Sequence, residues 1–359
     1  MHRAVTSLIT AAAIACAALV TTARGETVYA SSRYSGTVLA FEIGATAPTS
    51  PVVSSTISSG LALPTGLAFG GDGRLYIVEA GVFDPDTGEQ LVAPGVSRHV
   101  SGTAAATQRI LDLPDTQPAS LTVAADGDLI VGSLSQGGTA SGALAGSAVY
   151  RVSSLQATPA ASPYSSVSVP GLVGAAGLAI DGLGRLYISN GNGYSGSVVR
   201  LDSGTSSALS TVIAAGTADN QVDGPTSVIL SGNTLYASSV GATGGQAATV
   251  PSRLLGVDVL AETFAPTTLQ SFSFSGFNPY LGPLVELSDG RLLAGSLDAS
   301  GRIFLLDPAS PTPLIGTFTV VGLDQVGGLA IAPVPEPTGL GLLVSACVAG
   351  AAVARRRRR

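Results

Sequence analysis

The sequence predicts an all-β fold made of a repeated four-stranded unit. Three observations carry that expectation. The chain of 359 residues is rich in Thr, Val, Ser and Gly, with 46 glycines, and residues 26–332 hold no long run with helical apolar spacing. One phrase, an apolar run followed by a tight turn and a second apolar run, occurs five times and begins a sixth time. The copies start roughly 45–57 residues apart, the interval of a stacked or radial repeat.

The phrase reads PTGLAFGGDGRLYIVEA at 64–80, PASLTVAADGDLIVGSL at 118–134, AAGLAIDGLGRLYISNG at 175–191, PTSVILSGNTLYASSV at 225–240 and GPLVELSDGRLLAGSL at 282–297. Its first run is short and apolar, as a buried strand requires. The pairs Asp72-Gly73, Asp126-Gly127, Asp181-Gly182, Gly232-Asn233 and Asp289-Gly290 accept the positive φ of a two-residue hairpin, so these aspartates are turn residues. The second run pairs back as a second strand. A further phrase follows, as in SGTVLAFE (35–42), GSAVYRVSS (146–154) and SGRIFLLDP (300–308), and supplies a third strand with alternating faces. Weaker Val/Thr/Ser stretches such as 52–57, 210–214 and 314–320 supply a fourth.

Four strands repeated in this way describe the blades of a β-propeller. VGGLAIAP at 326–333 is an innermost strand without partners, and residues 27–57 hold three outer strands without an inner one. Joined, they complete a sixth blade and remove two exposed edges. The prediction is therefore a six-bladed propeller over 26–332 with closure of one blade by the two ends. Seven blades and an open array are the alternatives.

The two ends read as addresses. Residues 1–25 carry Arg3, an apolar stretch, and Ala23 and Gly25 before a cut at Glu26, the pattern of a secretory signal peptide. An uncleaved anchor, or a lipoprotein signal through Cys16, is the alternative. Residues 333–359 hold Pro335, Glu336 and Pro337, an apolar segment at 338–354 and five terminal arginines. Seventeen helical residues span roughly 25 Å, just short of a bilayer core, and the arginines would stay cytoplasmic. The two cysteines, Cys16 and Cys347, lie in these end segments, so the body holds no disulfide framework and no Cys metal site.

The order of the C-terminal segment resembles the PEP-CTERM sorting signal of Gram-negative bacteria. That resemblance implies processing by an exosortase-type enzyme at Pro335, Glu336 and Pro337, transient anchoring in the inner membrane, and residence at the cell envelope or release. A plain C-terminal anchor is the alternative. The phrases PTGLAFGGDGRLYI and GSVVRLD resemble the NHL and gluconolactonase-like group of six-bladed propellers. This implies the fold and leaves activity open, because such repeats serve enzymes and binding proteins alike.

Lysine is absent, and residues 26–332 hold 22 acidic residues against 10 arginines, near −12. Such a body argues against a nucleic-acid partner. Around the channel the sequence places Thr65, Ala119, Ala176, Thr226, Gly282 and Gly327 before the inner strands. After the second strands it places Glu79, Ser133, Asn190, Ser238 and Ser296, with Asp298 nearby and Arg33 and Tyr34 from the split blade. Gluconolactonase-like enzymes hold a divalent cation with Glu, Asn and Asp; here Thr65, Ala176 and Thr226 stand where Asn is typical, leaving Glu79 and Asn190. In the body the only histidine is His99, expected on the surface, so neither histidine acid–base chemistry nor a Ser–His–Asp arrangement has the residues it needs. The Gly-rich stretches at 135–147 and 191–197 lack the lysine of a phosphate loop. The loop FDPDTGEQ crowds Asp84, Asp86 and Glu89 around Gly88, a Ca²⁺-loop candidate whose alternative is a solvated acidic turn.

The leading expectation is an exported, non-catalytic display module that binds polysaccharide or a surface protein through Tyr34, Asn190, Asn192 and Tyr194. The rival is a metal-dependent lactonase-like hydrolase with Glu79, Asn190 and Asp298 around a cation, and a purely structural envelope component is a third.

Overall fold

The structure, a computed structural model, describes residues 25–333 apart from 85, 88, 100–106, 115, 135–147, 155, 157, 166–168, 192–195, 242–250 and 273–279. The leader, the C-terminal tail with Pro335, Glu336 and Pro337, and the candidates Asn192 and Tyr194 lie outside the described residues. Among those described, every regular element is a strand, and no helix is long and apolar enough to cross a membrane.

The chain begins with β1 (Glu26–Ser32), β2 (Thr37–Ile43) and β3 (Ser55–Ser58). The second blade follows as β4 (Pro64–Phe69), β5 (Leu75–Glu79), a side hairpin of β6 (Val82–Phe83) and β7 (Gln90–Val92), then β8 (Gly95–His99) and β9 (Thr107–Asp112). The third blade holds β10 (Pro118–Val123), β11 (Leu129–Ser133), β12 (Val149–Val152) and β13 (Ala161–Pro163). The fourth holds β14 (Leu178–Ile180), β15 (Leu186–Gly191), β16 (Gly196–Leu201) and β17 (Leu209–Ile213). The fifth holds β18 (Pro225–Ser231), β19 (Thr234–Ser239), β20 (Ser252–Asp258) and β21 (Thr267–Phe272). The sixth holds β22 (Leu281–Glu286), β23 (Leu292–Ser296), β24 (Arg302–Leu306) and β25 (Leu314–Thr319), and the chain returns as β26 (Val326–Ile331).

These strands form six four-stranded antiparallel sheets, and the first has the order β26-β1-β2-β3. The ring therefore closes as the two incomplete phrases require. β26 pairs with β1 from Val28↔Ile331 to Ser32↔Val326. The Ala332 N–H donates to the Thr27 carbonyl at 3.1 Å and the Arg33 N–H to the Gln325 carbonyl at 2.9 Å. Across the seam to the sixth blade, the Glu26 carboxylate accepts the N–H and hydroxyl of Ser288.

Each blade packs against two neighbours, and the period-2 alternation of a strand assigns its side chains to them. On β5, Leu75 and Ile77 enter the core shared with the first blade, while Tyr76 and Val78 enter the core shared with the third. On β15, Leu186 and Ile188 face the third blade and Tyr187 the fifth. Six inter-blade cores result, one for each contact between adjacent sheets. A second strand buried on both faces has no polar side, which is why these strands read as continuous apolar runs. Each fully buried large side chain, such as Tyr76, Tyr187 or Phe304, contributes about 1.5–3 kcal/mol.

The turns differ from the two-residue expectation at four of five places. Only Gly232-Asn233 joins directly paired residues, Ser231↔Thr234. Elsewhere three residues are enclosed, since the N–H of Gly70 donates to the carbonyl of Arg74, with the same pairing for Ala124 and Asp128, Asp181 and Arg185, and Leu287 and Arg291. The third loop residue takes positive φ: Gly73 at 73°, Gly127 at 88°, Gly184 at 77° and Gly290 at 86°. In the fourth blade it is thus Gly184, not Gly182, that carries the left-handed residue. A type I turn followed by such a glycine fits the strand twist as well as the two-residue turn does. The Asp carboxylates bind locally, as with Asp72 to Arg74 and Tyr76, and Asp289 to Arg291, which agrees with a turn role.

Candidate functional site

The inner strands β4, β10, β14, β18, β22 and β26 are the inner edges of their sheets and surround an axial cavity of about 1010 Å³. Consecutive residues of each strand line it, as a strand presenting its edge must. All six residues placed before the inner strands by the sequence line this cavity: Thr65, Ala119, Ala176, Thr226, Gly282 and Gly327.

Their polar members are engaged in the fold. The Thr65 hydroxyl donates to the Pro118 carbonyl of the next blade at 3.0 Å, and Thr226 does the same to Leu281 at 2.6 Å. Ser120 donates to the Ala175 carbonyl, and Ser227 accepts the Leu284 N–H. These hydroxyls bind adjacent inner strands to one another, which gives Thr65 and Thr226 a structural role at the start of their strands.

The residues expected after the second strands are a correction. Glu79, Asn190 and Asp298 do not line the cavity, nor do Ser133, Ser238, Ser296 or Tyr34. Superposing the phrases makes Glu79 equivalent to Ser32, Ser133, Asn190, Ser239 and Ser296. Five of these six side chains do one job, accepting an N–H from the loop that enters the inner strand. Ser32 accepts from Asp324 at 2.9 Å, Glu79 from Ala62 at 2.7 Å, and Ser133 from Gln117 at 3.0 Å. Asn190 accepts from Val173 at 2.9 Å and Ser239 from Asp223 at 3.1 Å. Asn190 also donates to the Gly171 carbonyl, which fixes its amide. Glu79 is buried against Arg109 at 2.8 Å and Ser97, beside a separate cleft between the first two blades. Asp298 turns toward Ser300, and its Oδ2 is buried without a hydrogen-bond partner.

In five of the six phrases the next residue is the one that reaches the axis. Arg33, Ala80, Leu134, Val240 and Leu297 line the cavity at equivalent positions. Each donates its backbone N–H to the residue just before the inner strand, namely Gln325, Leu63, Gln117, Gly224 and Tyr280. These pairs build one mouth of the channel. Phe83, from the side hairpin, joins them, and both Phe83 and Tyr280 are partly exposed. Sequence reasoning missed Leu134, Val240, Leu297 and Tyr280. The signal was the recurrent Ser followed by an aliphatic residue at 133–134, 239–240 and 296–297. Leu63, also at the mouth, has φ of 54°, the only positive φ outside glycine among the described residues. For a branched side chain this is a strained conformation, of the kind found where a site dictates the backbone.

The remaining candidates sit elsewhere. Tyr34 is exposed in the turn after β1, where its N–H donates to Asp324. Asp84 accepts the N–H groups of Asp86 and Thr87, and these bonds hold its carboxyl below the ordinary value. Asp86 and Glu89 are exposed, and no group of three His, Cys, Asp or Glu side chains able to hold a metal ion forms among the described residues. His99 ends β8 half-buried rather than free on the surface; its Nδ1 has no partner, and burial lowers its pKa.

No protein-family model matches the chain, and no curated protein matches its sequence. Solved structures do. A protein from Lactobacillus plantarum is 15% identical, with 86% of this chain and 100% of that one covered at a TM-score of 0.53. A gluconolactonase from Xanthomonas campestris is 13% identical, with 85% and 86% covered at a TM-score of 0.50. At such identities the likeness is one of fold, and the chain is an all-β six-bladed propeller with gluconolactonase-like structural neighbours.

Proposed function

We propose that the protein is an exported propeller of the cell envelope that binds a partner without transforming it. Residues 1–25 direct export. Residues 333–359 act as a PEP-CTERM signal, with Pro335, Glu336 and Pro337 offered to an exosortase-type enzyme while 338–354 sit in the inner membrane. The body then stays at the cell surface or is released, and its partner is an extracellular polysaccharide or a surface protein met by the loops around the channel mouth.

One observation carries the non-catalytic reading. The polar residues at strand ends that a cation-dependent hydrolase would use, Glu79 and Asn190, occupy a repeated capping position and accept loop N–H groups there. With Asp298 they belong to the second, fourth and sixth blades, each held by its own local hydrogen bonds. The side chains of Glu79 and Asn190 are thus accounted for by folding.

The test applies the full-length protein to an array of extracellular polysaccharides and to envelope-protein extracts, and in parallel assays lactone hydrolysis with Ca²⁺, Mn²⁺ or Zn²⁺. Saturable binding to one partner with hydrolysis no faster than buffer is expected. Metal-dependent hydrolysis abolished by Glu79→Gln would reverse the reading.

A further inference from the structure

The mouth position equivalent in every phrase is Arg33, Ala80, Leu134, Gly191, Val240 and Leu297. Five of the six are aliphatic or glycine, and the seam blade alone places a cation there. Arg33 is the only basic residue lining the cavity among the described residues, and the only carboxylate, Glu286, lies at the end of β22, toward the opposite opening. Glu286 already accepts the Ser231 hydroxyl.

The Arg33 guanidinium is under-used by the protein. Its side-chain hydrogen bond, from Nη1 to Gln325 Oε1, is stretched to 3.5 Å, and its Nε is buried without a partner. The Asp324 carboxylate forms no ion pair with it; its oxygens accept the N–H groups of Tyr34, Ser35 and Gln325. A guanidinium whose Nε is buried without a partner is costly, and a carboxylate is the group whose geometry satisfies it with two parallel charge-assisted bonds.

The surroundings fix the rest of the ligand. Leu63, Phe83, Leu134, Val240, Tyr280 and Leu297 offer apolar surface in the same cavity, whose volume is that of a small-molecule site. A body near −12 repels polyanions, so one negative charge suits the site better than many. We infer that the channel mouth binds a small monocarboxylate with an aliphatic or aromatic body, its carboxylate on Arg33 and its apolar part against Leu63, Tyr280 and Leu297. This site lies inside the cavity, whereas the partner proposed above meets the loops around its mouth, so either assignment can fail alone.

Isothermal titration of the full-length protein with octanoate and 3-phenylpropionate, against octanol and 3-phenylpropanol, tests the assignment. The acids are expected to bind at least tenfold more tightly than the alcohols. Arg33→Gln should remove that preference while leaving the melting temperature near wild type, and Arg33→Lys should restore part of it. Equal affinity for acid and alcohol, unchanged acid binding by Arg33→Gln, or no binding of either acid by the wild type would overturn the inference. A peptide with a free apolar C-terminal residue that binds far better than either acid, and loses this on amidation, would overturn the small-acid assignment in favour of chain ends.

Discussion

Glu79 shows how a residue that looks chemical can be architectural. One oxygen takes the Ala62 N–H, the other Arg109 and Ser97, so its removal strands three donors at once. Glu79→Ala should therefore lower stability by about 3 kcal/mol in urea unfolding, as breaking a largely buried pair does. Leu63→Gly should behave differently. Relief of the left-handed backbone offsets the lost side-chain packing, so stability should stay within about 1 kcal/mol of wild type, while octanoate binding at the mouth falls severalfold in the same titration. In the sequence Glu79 and Asn190 were visible as polar residues at strand ends. Their role was hidden because Ser, Asn and Glu can all accept one N–H, and only the register of all the phrases reveals a common position.

Inner strands of neighbouring blades approach too closely for a side chain at certain points. A Cβ on Gly177 would lie 2.5 Å from the Ser227 Cα, and one on Gly66 about 3.0 Å from the Leu121 nitrogen. Gly177→Ala must displace backbone and should cost about 1–3 kcal/mol or more by overpacking. Gly71→Ala, which meets nothing within 4 Å and needs no positive φ, should stay within about 0.5 kcal/mol; denaturant titration of the pair separates the two cases. The strands themselves were legible because burial on both faces leaves uninterrupted apolar runs. Turn width was not, since an Asp-Gly pair suits both a two-residue and a three-residue loop. The hairpin of β6 and β7 was unreadable for a simpler reason: strands of two and three residues carry no periodicity.

Closure of the ring was legible from the count of incomplete phrases, because an inner strand without partners and outer strands without an inner one complete each other. What the count could not show is the polar clasp that holds the seam. Burial pushes the Asp324 carboxyl up, but Ser32 and the N–H groups of Gln325, Ser35 and Tyr34 outweigh it and hold its pKa below the ordinary 3.8. A depressed carboxylate stabilises the fold fully above its unfolded value and loses that contribution as pH falls through the lower, folded one. The clasp should thus be intact near neutrality and weaken below about pH 4. Asp324→Ala should cost about 1–2 kcal/mol at pH 7 and show a smaller loss of melting temperature between pH 7 and pH 3 than wild type. Along the seam, β1 runs toward the ligand mouth and β26 runs away from it, so residues 25 and 333 emerge together on the Asp-Gly turn face. A tail fixed to a bilayer beyond residue 333 would grip the ring from behind, leaving the arginine-bearing opening to look out into the surrounding medium.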